Sequence, residues 1–233
     1  MSQYFFPDES HPGQCAPAVD SSVVNLYLLC FVSIHTVINK SGIYFITFTC
    51  YKWLHLIERT KSYDEVYKFF SILNKNGHPV LGYVIMPNHL HLLLYFEKKN
   101  QSFNTVIGNG KRFIGYEIIR RLKNQKEDLL LAMLVDGVDP AERKRNKQHE
   151  IWQGTFDVKE CRTEAFILQK LNYMHYNPCT DYWKLSEKPH DYEHSSAAFY
   201  NFGKQGKIEM KDYLDFLALL LENEEKERKN LNR

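Results

Sequence analysis

An α+β domain built on an antiparallel sheet is the fold class predicted by this sequence of 233 residues, and three features point to it. Stretches rich in β-branched and aromatic residues are interspersed with amphipathic stretches. They do not follow the strand-helix-strand rhythm of a parallel sheet. Two of the strand-like stretches are separated only by a Pro-Asn turn, which makes them a hairpin and therefore an antiparallel pair.

The elements follow in order from Gly42. Residues 43–50, β-branched and aromatic throughout, predict the first core strand. Residues 62–75 carry Val66, Phe69, Phe70 and Leu73 at three- and four-residue spacing behind Ser62, an N-cap residue, and predict an amphipathic helix that ends at Asn76-Gly77. Residues 81–86 and 89–96 predict the two arms of the hairpin around Pro87-Asn88. A helix is expected over 105–122, although Gly108, Gly110 and Gly115 weaken its first half. The charged stretch through Lys147 reads as a long loop. Residues 163–177 predict the last core helix, which Pro178 cannot continue. Loops rich in Tyr, Trp and His come next, and then a helix from Tyr213 whose end is nearly all charge. The expected organisation is an N-terminal extension over 1–40, a core domain over 41–200 and a helical tail over 201–233.

Composition bounds the function without naming it. An apolar fraction of 44% and a charged fraction of 25% are those of an ordinary globule and argue against wholesale disorder or a polytopic membrane protein. The net charge of +2 reports no basic face, but between Lys98 and Lys147 basic residues outnumber acidic ones two to one. That stretch is either a phosphate-tracking surface or a solvated helix face followed by a charged loop. The five cysteines are scattered, with no Cys-x-x-Cys pair, and predict reduced thiols in a cytoplasmic compartment. The apolar run over 23–34 is shorter than the roughly 20 residues that span a bilayer. Acidic residues precede it where a signal peptide is basic, so no membrane is expected as a partner.

The chemistry concentrates in two places. In His89-Leu90-His91 the imidazoles lie two apart on a strand, where side chains alternate between faces, so both project the same way and can share one cation. Two imidazoles leave most of a coordination sphere open, as a catalytic metal requires. Asn177 is the candidate third ligand. It lies four residues after Tyr173 on one helix face, while Ile167, Leu171 and Met174 form the stripe that anchors this helix to the core. Tyr173 is the candidate nucleophile, because a phenol with a pKa near 10 is acidic enough for a neighbouring cation to activate. Among fifteen tyrosines, the spacing to Asn177-Pro178 singles it out from Tyr176, and His175 is placed to assist from the rim.

The stretch from Met86 to Leu94, Met-Pro-Asn-His-Leu-His-Leu-Leu-Leu, resembles the histidine-hydrophobe-histidine (HUH) signature of single-tyrosine transposases. Residues 173–178, Tyr-Met-His-Tyr-Asn-Pro, resemble the tyrosine-helix motif of their REP-associated branch. Lys111-Arg112-Phe113 and residues 152–157 (Trp-Gln-Gly-Thr-Phe-Asp) fall where that branch carries a helix lysine and a tryptophan-to-aromatic segment. Tyr192 with Ser195-Ser196-Ala197 is similar to its closing motif. The resemblance runs in order from Gly42 to Tyr200 and leaves the first forty residues and the tail outside. Many relatives beyond that branch carry glutamine where Asn177 stands.

The resemblance implies a ferredoxin-like sheet with the histidines on a central strand. It also implies cleavage and rejoining of single-stranded DNA at hairpin repeats, with magnesium or manganese as cofactor and a 5′-phosphotyrosine intermediate on Tyr173. His89, His91 and Asn177 would hold the metal. Lys111, Arg112, Arg143, Lys144 and Arg145 would contact DNA, and bases would stack on aromatics such as Trp152, Phe156 and Trp183. The expected location is the bacterial cytoplasm, on the nucleoid, with a homodimer as one candidate assembly. A domesticated hairpin-processing nuclease, an inactive DNA-binding protein and a water-using metallohydrolase are the competing readings.

Overall fold

The computed structural model describes residues 38–99, 101–154 and 156–231. The apolar run over 23–34 and nearly all of the expected N-terminal extension lie outside them. The chain forms β1 (Gly42–Thr49), α1 (Leu56–Thr60), α2 (Tyr63–Lys75), β2 (Val80–Ile85), β3 (His89–Phe96), α3 (Phe103–Asn124), α4 (Asp128–Asp136), α5 (Pro140–Arg143), β4 (Asp157–Glu160), α6 (Glu164–Tyr176), α7 (Ala197–Phe202) and α8 (Tyr213–Leu231).

The four strands make one antiparallel sheet in the order β2-β3-β1-β4. Together with the helices between β1 and β2 and between β3 and β4, this is the ferredoxin-like arrangement of two interlocked split strand-helix-strand units. β1 and β3 occupy the centre. They are buried on both faces, which is why residues 43–46 and 92–96 are apolar at every position.

One face of the sheet carries Tyr44, Ile46 and Phe48 from β1 and Leu90, Leu92, Leu94 and Phe96 from β3, and it packs on α2 and α3. The opposite face carries Phe45 and Thr47 opposite Leu93 and His91, and α6 covers it. Gly82 on β2 lets α6 approach closely: a β-carbon there would stand 2.7 Å from Cδ2 of Leu171. Thr163 starts α6, its hydroxyl accepting the Phe166 N–H at 3.3 Å, as its N-cap position predicts.

Two expectations are corrected, and the helices expected over 105–122 and from Tyr213 are present. The charged stretch after α3 is not a loop but the helices α4 and α5. α4 buries Leu134 and leaves Leu129 exposed, so its apolar run carries no amphipathic period to mark it as helix. α3 runs unbroken through its glycines, and Gly110 admits the ring of Phe69, which would lie 2.3 Å from a β-carbon. β4 was not expected: it is four residues long on the sheet edge, with every other residue exposed, so no apolar pattern announces it. The tail helix α8 is anchored at its start, where Tyr213 is buried and the ring of Phe216 lies 4.8 Å from that of Tyr95. No helix among the described residues is long and apolar enough to cross a membrane.

A candidate metal and tyrosine site

Because β3 alternates, His89 and His91 project from the face that α6 covers, with ring centroids 4.9 Å apart. Both are buried. At the end of α6 the side chain of Asn177 reaches back to them, its Nδ2 lying 3.1 Å from Nε2 of His89 and 3.2 Å from Nε2 of His91. Two residues that lie two apart on a strand and one more than eighty positions later thus meet at one point.

The outer nitrogens of both imidazoles are held by partners, and at His89 the partner sets the inner one. Asn88 Nδ2 donates to the carbonyl of Trp53 at 2.9 Å, which turns its Oδ1 toward Nδ1 of His89, 2.7 Å away. An amide oxygen only accepts, so Nδ1 of His89 carries the proton and Nε2 presents its lone pair to Asn177. His91 Nδ1 lies 2.8 Å from Oγ1 of Thr47, its cross-strand neighbour on β1. Burial depresses the pKa of His89 to about 4. Burial, with His89 and Lys170 nearby, holds His91 well below the ordinary imidazole value. Both rings are therefore neutral at neutral pH, the state that ligates metals without displacing a proton.

Tyr173, two residues past the buried Leu171, points out of α6 and is 56% exposed. Its ring stands edge-on to His91 at 5.2 Å and to Phe45 at 6.3 Å. The structure thus brings Tyr173, His89, His91 and Asn177 together. It adds Lys170, one turn before the tyrosine, whose Nζ lies 5.8 Å from the Tyr173 ring centroid and 5.2 Å from that of Phe45. Lys170, Thr47 and Asn88 were not singled out from sequence. The three-residue spacing of Lys170 from Tyr173 was a usable signal, whereas the role of Thr47 depends on strand register.

Other expected site residues lie elsewhere. His175 is not at a rim: it is buried, with Nε2 2.9 Å from Oγ of Ser196. That serine also accepts the Tyr83 N–H of β2, so the Ser195-Ser196 segment clamps α6 to the edge strand. Tyr192 assists by donating to the Ile85 carbonyl at 2.9 Å. Trp152 is buried on the opposite face of the sheet, where its indole donates to the Lys111 carbonyl at 2.9 Å. Lys111 is boxed by the rings of Phe48, Trp152 and Phe156 and donates to the Gly154 carbonyl. Its pKa is lowered to about 8 by burial first and by Lys147 second. Trp152 presents no open face to a nucleic acid, whereas Lys111 is half-buried beneath these rings. Arg112, Arg143, Lys144 and Arg145 are exposed, and Arg143 also donates to the Val135 carbonyl.

Asn177 with the two imidazoles supplies two nitrogen lone pairs and an amide whose half-turn exchanges Nδ2 for Oδ1. Such a donor set fits a borderline-hard divalent cation that completes its sphere with substrate oxygens. No group of three or more His, Cys, Asp or Glu side chains able to hold a metal exists among the described residues, so any cation here depends on that amide.

No family model matches the chain, and no curated protein does. Solved structures do: the chain is similar to a REP-associated tyrosine transposase bound to a REP hairpin, at 15% identity and a TM-score of 0.46, over 77% of this chain and 90% of that one.

Proposed function

We propose that this protein is a metal-dependent tyrosine nuclease-transferase that cuts and rejoins single-stranded DNA beside hairpins. The observation that carries the reading is the meeting of Asn177 with the inward nitrogens of His89 and His91, with Tyr173 edge-on to the second of them. The motif resemblance around the same four residues supplies the substrate class.

In this reading His89, His91 and Asn177 hold magnesium or manganese, which supplies Lewis-acid polarisation of the scissile phosphate. Tyr173 Oη forms a bond to phosphorus as the bond from phosphorus to the 3′-oxygen breaks. The phenolic proton leaves to solvent, and the departing 3′-oxygen takes one up. The products are a 5′-phosphotyrosine on α6 and a free 3′-hydroxyl, and the reverse attack by a 3′-hydroxyl rejoins a strand. One phosphodiester is exchanged for another, so no external energy source is required. Lys170 places an ammonium where negative charge gathers on the phosphoryl oxygens. α6 carries nucleophile, lysine and amide ligand as one unit, clamped to β2 through His175 and Ser196.

The test is covalent trapping. With manganese and a library of single-stranded hairpins, the protein should form a denaturation-resistant DNA adduct that chelation prevents. Tyr173→Phe should form none while keeping its thermal midpoint, since the change removes only an oxygen from a largely exposed side chain. Tyr176→Phe should stay within an order of magnitude of the parent. Strand cleavage without an adduct would favour a water-using metallohydrolase, and an adduct that survives in Tyr173→Phe would refute the assignment of the nucleophile.

A further inference from the structure

Two tryptophans lie against the ring of His89. Trp53, in the short turn after β1, stands edge-on to it at 6.0 Å between centroids. Trp183, in the loop after α6, lies at 5.8 Å. Trp183 is flanked by His55 at 5.5 Å and by Tyr182 at 5.0 Å, and Tyr182 is 81% exposed.

Ordinary packing does not account for Trp53. The indole is 54% exposed, although it is the kind of side chain that folding usually buries. The backbone that presents it is left-handed at two consecutive residues with β-carbons, Lys52 at φ 50° and Trp53 at φ 58°, a conformation that persists only where surrounding contacts enforce it. Bonds from the Trp53 N–H to the Cys50 carbonyl and from the Leu54 N–H to the Tyr51 carbonyl close the turn, and one further contact comes from the site itself, because the Asn88 amide that orients His89 also donates to the Trp53 carbonyl. Lys184, beside Trp183, is left-handed as well, at φ 46°. Each indole thus has an exposed lysine next to it in the chain, and neither Lys52 nor Lys184 forms an ion pair among the described residues. Aromatic faces interleaved with cations are the chemistry that binds single-stranded nucleic acid through its bases and phosphates together.

We propose that Trp53 and Trp183 form a clamp that stacks the unpaired bases on either side of the phosphate presented to His89 and His91. Trp53, Trp183 and the adjacent lysines position the strand and take no part in bond making. The inference rests on the proposed function for the location of that phosphate, and it predicts a base requirement that the chemistry alone does not impose.

The experiment uses the full chain with a chelator present, so that binding is read without cleavage. Oligothymidylate and a backbone of the same length lacking bases are titrated against the parent, Trp53→Ala, Trp53→Phe and Trp183→Ala, each checked for an unchanged thermal midpoint. Fluorescence reports the contact directly, because the chain has three tryptophans and the third, Trp152, is buried away from the site. Oligothymidylate should quench the parent. Trp53→Ala and Trp183→Ala should each bind it about 5- to 100-fold more weakly and bind the baseless strand as the parent does. Trp53→Phe should recover most of the loss. Equal losses for both strands, or none for either, overturn the clamp. Should Trp53→Ala lower the thermal midpoint, Trp53→Phe and Trp183→Ala decide by the same comparison. Separately, adduct formation distinguishes the two readings. A parent that forms the adduct, alongside a Trp53→Ala protein with the same KM and kcat, refutes the clamp alone. Base-dependent quenching by a parent that forms no adduct refutes the tyrosine chemistry and leaves the clamp standing.

Discussion

Asn88 governs more of the site than its place in a turn suggests. Its oxygen fixes the proton on Nδ1 of His89, and its nitrogen holds the Trp53 carbonyl, so one amide sets a tautomer and a loop. Partners of this kind usually change metal affinity when removed, because they orient the ring and raise its basicity. We expect Asn88→Ala to weaken manganese binding roughly 10- to 100-fold, measured by titration calorimetry without DNA. Affinity within a factor of two or so of the parent would mean that burial alone orients His89. Thr47 holds the outer nitrogen of His91 from across the strand pair. Lys170 touches neither histidine, and its charge stands beside the tyrosine. Lys170→Gln should lower the rate of adduct formation roughly 100-fold, as the loss of a preorganised charge does, with metal affinity unchanged. An unaltered adduct rate in single-turnover assays would remove it from the chemistry.

At the scale of elements, the site depends on how α6 lies on the sheet. Gly82 admits Leu171, Thr163 caps the first turn, and Ser196 joins His175 to the Tyr83 backbone of β2. The Ser196 hydroxyl meets the His175 ring and both the N–H and the carbonyl of Tyr83 inside the protein, so Ser196→Ala leaves buried polar atoms unpaired. We expect a loss of about 1–3 kcal/mol in urea unfolding and a rate of adduct formation that falls with it, as the helix carrying Tyr173 loosens. Unchanged stability would show that the clamp holds nothing. The resemblance places Ser195-Ser196 in a closing motif, and the structure gives the segment a mechanical task at the edge of the sheet.

For the whole molecule, buried neutral imidazoles make stability depend on pH. His175 is held down to about 3 by burial and His89 to about 4, against an ordinary value near 6.5. Below that value the unfolded chain takes up protons that the folded chain refuses, so stability falls as pH drops from about 6.5 toward 4. Carboxylates such as Glu117, lowered to about 2 by Arg120 and Arg121, have an ordinary value near 4.3 and lose their contribution only below it. The decline between about pH 6.5 and 4.5 therefore belongs to the histidines. A thermal midpoint that stays flat across that window would contradict it. Surface charge offers a second test. Replacing Arg112, Lys144 and Arg145 by alanine should reduce the salt dependence of hairpin binding by about one unit of log-log slope for each phosphate no longer neutralised. Lys111→Met should change the slope less, since the ammonium of that lysine is turned onto the rings of Phe48, Trp152 and Phe156. An unchanged slope in the triple variant would place the DNA surface elsewhere.

The sequence by itself determined the antiparallel α+β class, the hairpin around Pro87-Asn88, the strand placing His89 and His91 on one side, and the helix spacing that pairs Tyr173 with Asn177. These are local properties: a period of two on a strand, a period of 3.6 on a helix and a turn dipeptide are all written in consecutive residues. Only the tertiary structure decided which residues face the pair from a distance. Thr47 enters through strand register and Trp53 through a left-handed turn, while Trp152 and Lys111 are withdrawn to the far face of the sheet. The edge strand β4 escaped for a related reason, since four half-exposed residues bury too little to leave an apolar pattern, and pairing with β1 alone makes them a strand. Whether a tryptophan stacks on a base or fills a core, and whether a lysine meets a phosphate or a ring of aromatics, depends on what packs against it from elsewhere in the chain. That choice is made by burial across the sheet, and burial is a property of the fold that no run of neighbouring residues encodes.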